Sequence, residues 1–135
     1  MLGEKIGQES GNVTGQRVLP SAGGPPRMET SFQAAGSILG IAHTTRGTYQ
    51  SYMRPDGSLL GEGQGIVMGK DGAAMATWVG QGVGHIKPDG SINYRGAIFY
   101  SSPSPKWARL NEVASLFEYE IDPKGATKAD IWEWK

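Results

Sequence analysis

Cysteine is absent from the 135 residues, which excludes disulfides, thiolate nucleophiles and thiolate metal sites in one step. Histidine is scarce: His43 and His85 are the only two, and neither has a second histidine two or four residues away, so no metal site is expected. Neither sign of charge is in excess, with 13 basic and 13 acidic side chains. No overall field therefore draws the chain to nucleic acid or to an anionic membrane. Long apolar runs are missing as well. The first twenty residues contain Glu4, Lys5, Gln8 and Glu9, so neither a signal peptide nor a membrane span is expected, and the cytoplasm is the expected compartment. The implied cofactor is none. No Gly-x-Ser-x-Gly nucleophile elbow occurs, and Asp56, Asp71 and Asp89 stand singly in turns rather than in a calcium loop.

Glycine, by contrast, is abundant, with 21 residues. Most lie at alternate positions inside strand-like runs, where glycine weakens a strand and needs a geometric reason. Gly61-Glu62-Gly63-Gln64-Gly65 and Gly80-Gln81-Gly82-Val83-Gly84 look like phosphate loops, but both sit mid-strand and lead into another hairpin. A phosphate loop needs a helix N-terminus behind it. These glycines read instead as bends and close packing in a curved sheet.

Between Thr48 and Tyr100 three polar turns, Arg54-Pro55-Asp56-Gly57, Lys70-Asp71-Gly72 and Lys87-Pro88-Asp89-Gly90, divide the chain into four β-rich segments of similar length. Asp-Gly between such runs is a strong hairpin signal, because glycine takes the left-handed conformation that closes the turn. Residues 4–19 read as a bent first strand and 20–26 as a loop. A second strand covers 28–37, and the region of Gly36 and Gly40 turns the chain into a third strand ending at Met53. Pro103 and Pro105 stop the sheet, Lys106 to Asn111 form a helical turn, and two last strands, 113–121 and 127–134, join at Asp122-Pro123-Lys124-Gly125. The expected fold is all-β: one domain, 1–135, forming an antiparallel up-and-down eight-stranded barrel whose closure removes exposed edges. A β-sandwich is the alternative.

Turn length fixes register, and register fixes faces. If each Asp-Gly turn is a three-residue loop, Arg54 pairs with Ser58, Gly69 with Ala73, and Lys87 with Ser91. One face then carries Thr48, Gln50, Tyr52, Glu62, Gln64, Trp78, Tyr94, Ile98 and Tyr100, and its aromatics make it the expected interior. A two-residue loop at Asp71-Gly72 would reverse one of its two strands. On this register Gln50, Tyr52, Glu62, Gln64, Trp78, Tyr94, Ile98 and Tyr100 line a ligand site, with Glu62 its candidate proton-transferring residue. At the other end of the chain, Trp132 and Trp134 share a face with Leu116, Glu118 and Glu120. Turned outward, Leu116, Trp132 and Trp134 form a homo-oligomer surface; turned inward, they are core. The Pro103 to Arg109 loop is placed to cover one barrel mouth, as a gate or as a plug.

The segments GEGQG (61–65), ATWVGQGVG (76–84), YRGAIFY (94–100), ARLN (108–111), FEYE (117–120) and the ending WEWK resemble a family of small bacterial proteins of unknown function. That resemblance implies an eight-stranded barrel similar to allene oxide cyclase and implies no activity. The function expected is therefore the binding of a small apolar or amphipathic molecule in the lumen. The alternatives are an isomerase- or cyclase-like enzyme using Glu62, and a structural barrel filled by its own side chains.

Overall fold

Strands begin and end where the turn chemistry puts them. The computed structural model describes residues 2–70, 72 and 74–135. Within these, β1 (Leu2–Leu19), β2 (Arg27–Ile38), β3 (Ile41–Met53), β4 (Leu59–Gly69), β5 (Met75–Ile86), β6 (Ile92–Ser101), β7 (Ser115–Ile121) and β8 (Ala126–Trp134) pair antiparallel in sequence order. β8 returns to β1 and closes the barrel. Closure leaves no open edge over most of the wall. β1 is the exception: beyond Asn12 it leaves β8, passes a register shift between Val13 and Gly15, and continues against β2 alone. Among the described residues no helix is long and apolar enough to cross a membrane.

Three turns share one chemistry. At 54–58 and 87–91 the first residue's N–H donates to the carbonyl of the fifth at 2.8 Å, and in the 122–126 turn at 2.9 Å. Gly57, Gly90 and Gly125 take φ of +86°, +90° and +90° at the fourth position, which a side chain would oppose. Asp56 and Asp89 Oδ1 accept from the N–H (2.9 Å) and hydroxyl (2.6 Å) of Ser58 and Ser91. Those bonds to the charged form hold both carboxyls below the usual aspartate range.

The turn between β4 and β5 differs. Asp71 and Ala73 lie outside the described residues, but the N–H of Gly69 donates to the carbonyl of Ala74 at 2.8 Å and Met68 faces Met75. The loop is therefore four residues, 70–73, instead of three. One extra residue inverts the face of every side chain on one side of the turn. The expected interior is correct for β5 and β6 and reversed for β3 and β4. Thr48, Gln50, Tyr52, Glu62 and Gln64 point out, while His43, Thr45, Tyr49, Ser51, Leu59 and Val67 point in.

One end of the barrel is sealed. Residues Pro105–Glu112 form two short 3₁₀ turns joined at Trp107, whose backbone there is not helical (φ −116°, ψ 18°). Trp107 is 0% exposed and its indole N–H donates to the carbonyl of Ile38 at 3.2 Å. Leu110 enters beside it, against Ile6, Ile38, Val67, Ile98, Tyr100 and Ile131. Each such fully buried side chain contributes about 1.5–3 kcal/mol by leaving water. This segment is a plug, anchored further where Asn111 exchanges two 2.8 Å bonds with the backbone of Ser102.

Candidate functional site

Inward residues of the strands meet in the middle of the barrel as a layer of rings. Phe32, Tyr49, Trp78, Tyr94 and Tyr119 stand with neighbouring centroids 5.4–6.3 Å apart, and Tyr49 meets Tyr119 edge-on at 84°. The glycines of β3, β4 and β5 make this possible. A Cβ on Gly47 would lie 2.6 Å from the Trp78 ring and 2.7 Å from Phe32, and one on Gly84 would lie 2.6 Å from Tyr94. A Cβ on Gly65 would fall inside contact distance of the Trp78 indole. The glycine wall is thus the space the rings occupy. Trp78 is fixed by its Nε1–H, which donates to Thr45 Oγ1 at 3.2 Å, and Thr45 in turn donates to the carbonyl of Ile66 at 3.1 Å.

Gly61, Gly63, Gly80 and Gly82 leave more room than the rings use. A cavity of about 70 Å³ remains, bounded by those glycines, by Phe32, Tyr49, Trp78, Tyr94, Phe117 and Tyr119, and by one inward carboxylate, Glu9. Glu9 comes from β1, opposite Gly36 of β2 and Ala129 of β8. Its Oε2 lies 2.8 Å from His43 Nε2, whose side chain is fully buried, with Glu9 itself 12% exposed. On its other side His43 Nδ1 is buried with no partner, and so are the hydroxyls of Tyr49 and Tyr119. The two phenols lie within reach of each other, and Tyr49 within reach of Thr30, though none of these contacts has good hydrogen-bond alignment. Burial pushes Tyr49 up to about 12 and raises Tyr94; burial, with the Glu9 carboxylate as a lesser cause, raises Tyr100, and burial, then the neighbouring Tyr49 and then Glu9, raises Tyr119. All four phenols are held neutral in the folded barrel.

Of the residues expected in the lumen, Trp78, Tyr94 and Ile98 line the cavity. Tyr100 points inward but packs in the sealed end with Trp107. Gln50, Tyr52, Glu62 and Gln64 are on the outside, for the register reason given above. Glu62 borders the cavity only through the strand wall between Gly61 and Gly63, so it is not the lumen's proton-transferring group. Outside, Gln50, Tyr52 and Glu62 meet with Arg27 and Gln81 around a surface hollow of about 150 Å³, Arg27 lying 5.3 Å over the Tyr52 ring. Glu9, His43, Phe32, Tyr49, Phe117 and Tyr119 carry the interior instead. Arg46 was the available signal: it shares a face with Thr48, Gln50 and Tyr52, and an unpartnered cation marks the solvent side of β3. Glu9 had no such signal, because β1 lacks apolar alternation. Among the described residues no group of three or more His, Cys, Asp or Glu side chains could hold a metal ion.

No protein-family model matches the chain, and no curated protein matches it. Solved structures do. A conserved protein of unknown function from Rhodopseudomonas palustris superposes with a TM-score of 0.81 at 12% identity, covering 98% of this chain and 97% of its own. A protein with unknown function from Clostridium acetobutylicum gives 0.81 at 13% identity, over 97% and 95%. A β-barrel-like protein from Acinetobacter baumannii gives 0.82 at 13% identity, over 98% and 94%. Likeness at such identities establishes the barrel fold and carries no activity.

Proposed function

We propose that the protein is a small-molecule-binding barrel, allene oxide cyclase-like in architecture, that takes a ligand of a few heavy atoms into the lumen beside Glu9, Tyr49 and Tyr119. One observation carries this reading. A space walled by aromatic rings and reached by one inward carboxylate, Glu9, stays open in the middle of the barrel, and a concave, mostly apolar space with a few convergent polar groups is the usual form of a ligand site. The cavity sets the size. At about 70 Å³ it is roughly half the volume that accommodates benzene in an engineered apolar cavity of about 150 Å³. The same figure favours the second reading, a structural barrel whose lumen its own aromatics fill.

Saturation-transfer NMR with short alcohols, amides and amines tests the reading against Gly80→Val, which places a branched side chain in the cavity. Binding by the wild type and its loss in Gly80→Val is the expected result. No binding, or binding that survives Gly80→Val, sinks it in favour of the filled barrel.

Two further parts of the proposal concern surroundings. The outer wall carries Lys5 against Asp130 (2.7 Å), Arg95 against Glu118 (3.2 Å) and Glu120 opposite Lys128. Charged side chains there would be costly against lipid, which supports an aqueous, cytoplasmic setting. Leu116 lies opposite Trp132 on the outer wall, with Trp134 exposed nearby, and this face would join copies of the chain.

A further inference from the structure

We infer that the lumen ligand is a small organic cation, a methylated amine of about the size of trimethylammonium, held between the Glu9 carboxylate and the ring cluster of Phe32, Tyr49, Trp78, Tyr94 and Tyr119. This deepens the reading above and rests on it.

The first argument is the sign of the cavity. Aromatic faces present negative charge density to whatever they enclose. Here several rings and one carboxylate surround the same space, and no Lys, Arg or His side chain lines it. Such a box, rings with a single anion, recognises alkylammonium groups through cation–π attraction.

The second argument is the charge on Glu9. Among the described residues its side chain is bonded by His43 alone. A doubly protonated His43 would hold a buried Nδ1–H with no acceptor, because Nδ1 has no partner. A buried donor left unmade costs roughly 1–3 kcal/mol. A neutral imidazole donating from Nε2 to the carboxylate leaves no N–H unmade, and in that tautomer His43 orients Glu9 without bringing a counter-charge. A buried carboxylate with no counter-charge is expensive, and a cationic ligand supplies the missing charge.

The third argument is fit. The one ammonium N–H needs an acceptor, and the Glu9 oxygen not held by His43 provides it, while the methyl groups lie against the rings. Trimethylammonium has fewer heavy atoms than benzene, in keeping with the smaller cavity.

Isothermal titration at constant ionic strength, with trimethylammonium chloride against neutral tert-butanol, decides the matter. The expected result is a cation that binds at least about tenfold tighter than the alcohol, a difference that one carboxylate and several rings readily supply. Glu9→Gln should abolish that preference. Should Glu9→Gln fail to fold, the wild-type comparison still decides. Equal binding of cation and alcohol would overturn the cationic class while leaving a lumen ligand in place. Binding of neither would overturn both the class and the lumen reading.

Discussion

Tyr49, Tyr94, Tyr100 and Tyr119 turn their phenols into the barrel, and burial raises the pKa of each. The consequence for stability has a definite sign. Below pH 10 a tyrosine is protonated whether folded or not, so these residues contribute fully there. Above it the unfolded chain releases protons that the folded barrel retains, and stability falls as pH rises towards the folded value. For Tyr49 that window runs from 10.0 to about 12, a loss of about 3 kcal/mol at its upper end. Urea midpoints should therefore be level from pH 7 to pH 9 and drop steeply above pH 10. Tyr49→Phe should drop less, and near pH 7 it should change stability little, because the hydroxyl it removes makes only poorly aligned contacts with Tyr119 and Thr30. A wild-type midpoint that stays level to pH 11.5 would contradict the buried phenols.

At the scale of elements, loop parity decides which side chains meet. The four-residue connection 70–73 sets Gly69 opposite Ala74. Deleting Lys70 and Ala73 together would leave a two-residue Asp-Gly hairpin of the same register, with glycine where a tight turn wants it. Deleting Lys70 alone would leave a three-residue loop, the length found at 55–57 and 88–90, with Gly69 still opposite Ala74. Both deletions should give a cooperative unfolding transition near the wild type's; an aggregated chain from either would show that the four-residue loop itself is needed to hold the register. The same parity explains what the sequence did and did not make legible. Eight strands, their order, the Pro-Asp-Gly turns and a cover over one barrel mouth after Pro103 were readable, because each is written in local residues, whereas gate and plug were not told apart. Trp78, Tyr94 and Ile98 were placed correctly because β5 and β6 share a turn whose length was read correctly. Gln50 and Glu62 were misplaced by one uncounted loop residue. Glu9 and His43 were missed because their meeting depends on β1, β2 and β3 lying side by side, a pairing across 34 residues that no local pattern announces.

Over the whole molecule the outer wall is uneven. β4, β5 and β6 expose Ile66, Val79 and Phe99, each at least half exposed, with Val79 directly opposite Phe99. β7 and β8 carry half-buried Leu116 and Trp132 and exposed Trp134 among charged pairs: Arg95 with Glu118, Lys5 with Asp130, and Arg109 with both Glu4 (3.2 Å) and Glu133 (2.9 Å). The second surface has the composition of a protein interface, with tryptophan at its centre and arginine in a polar rim. The first has one phenylalanine beside aliphatic side chains and no tryptophan. Association of this chain with itself should therefore run through the tryptophan face. Sedimentation velocity over a range of concentrations should show a dimer that Trp134→Ser weakens by at least about tenfold, as removal of a central aromatic anchor does, and that Phe99→Ser leaves intact. A dimer lost in Phe99→Ser and kept in Trp134→Ser would move the contact to β4–β6, and a monomer at every concentration would end the case for self-association.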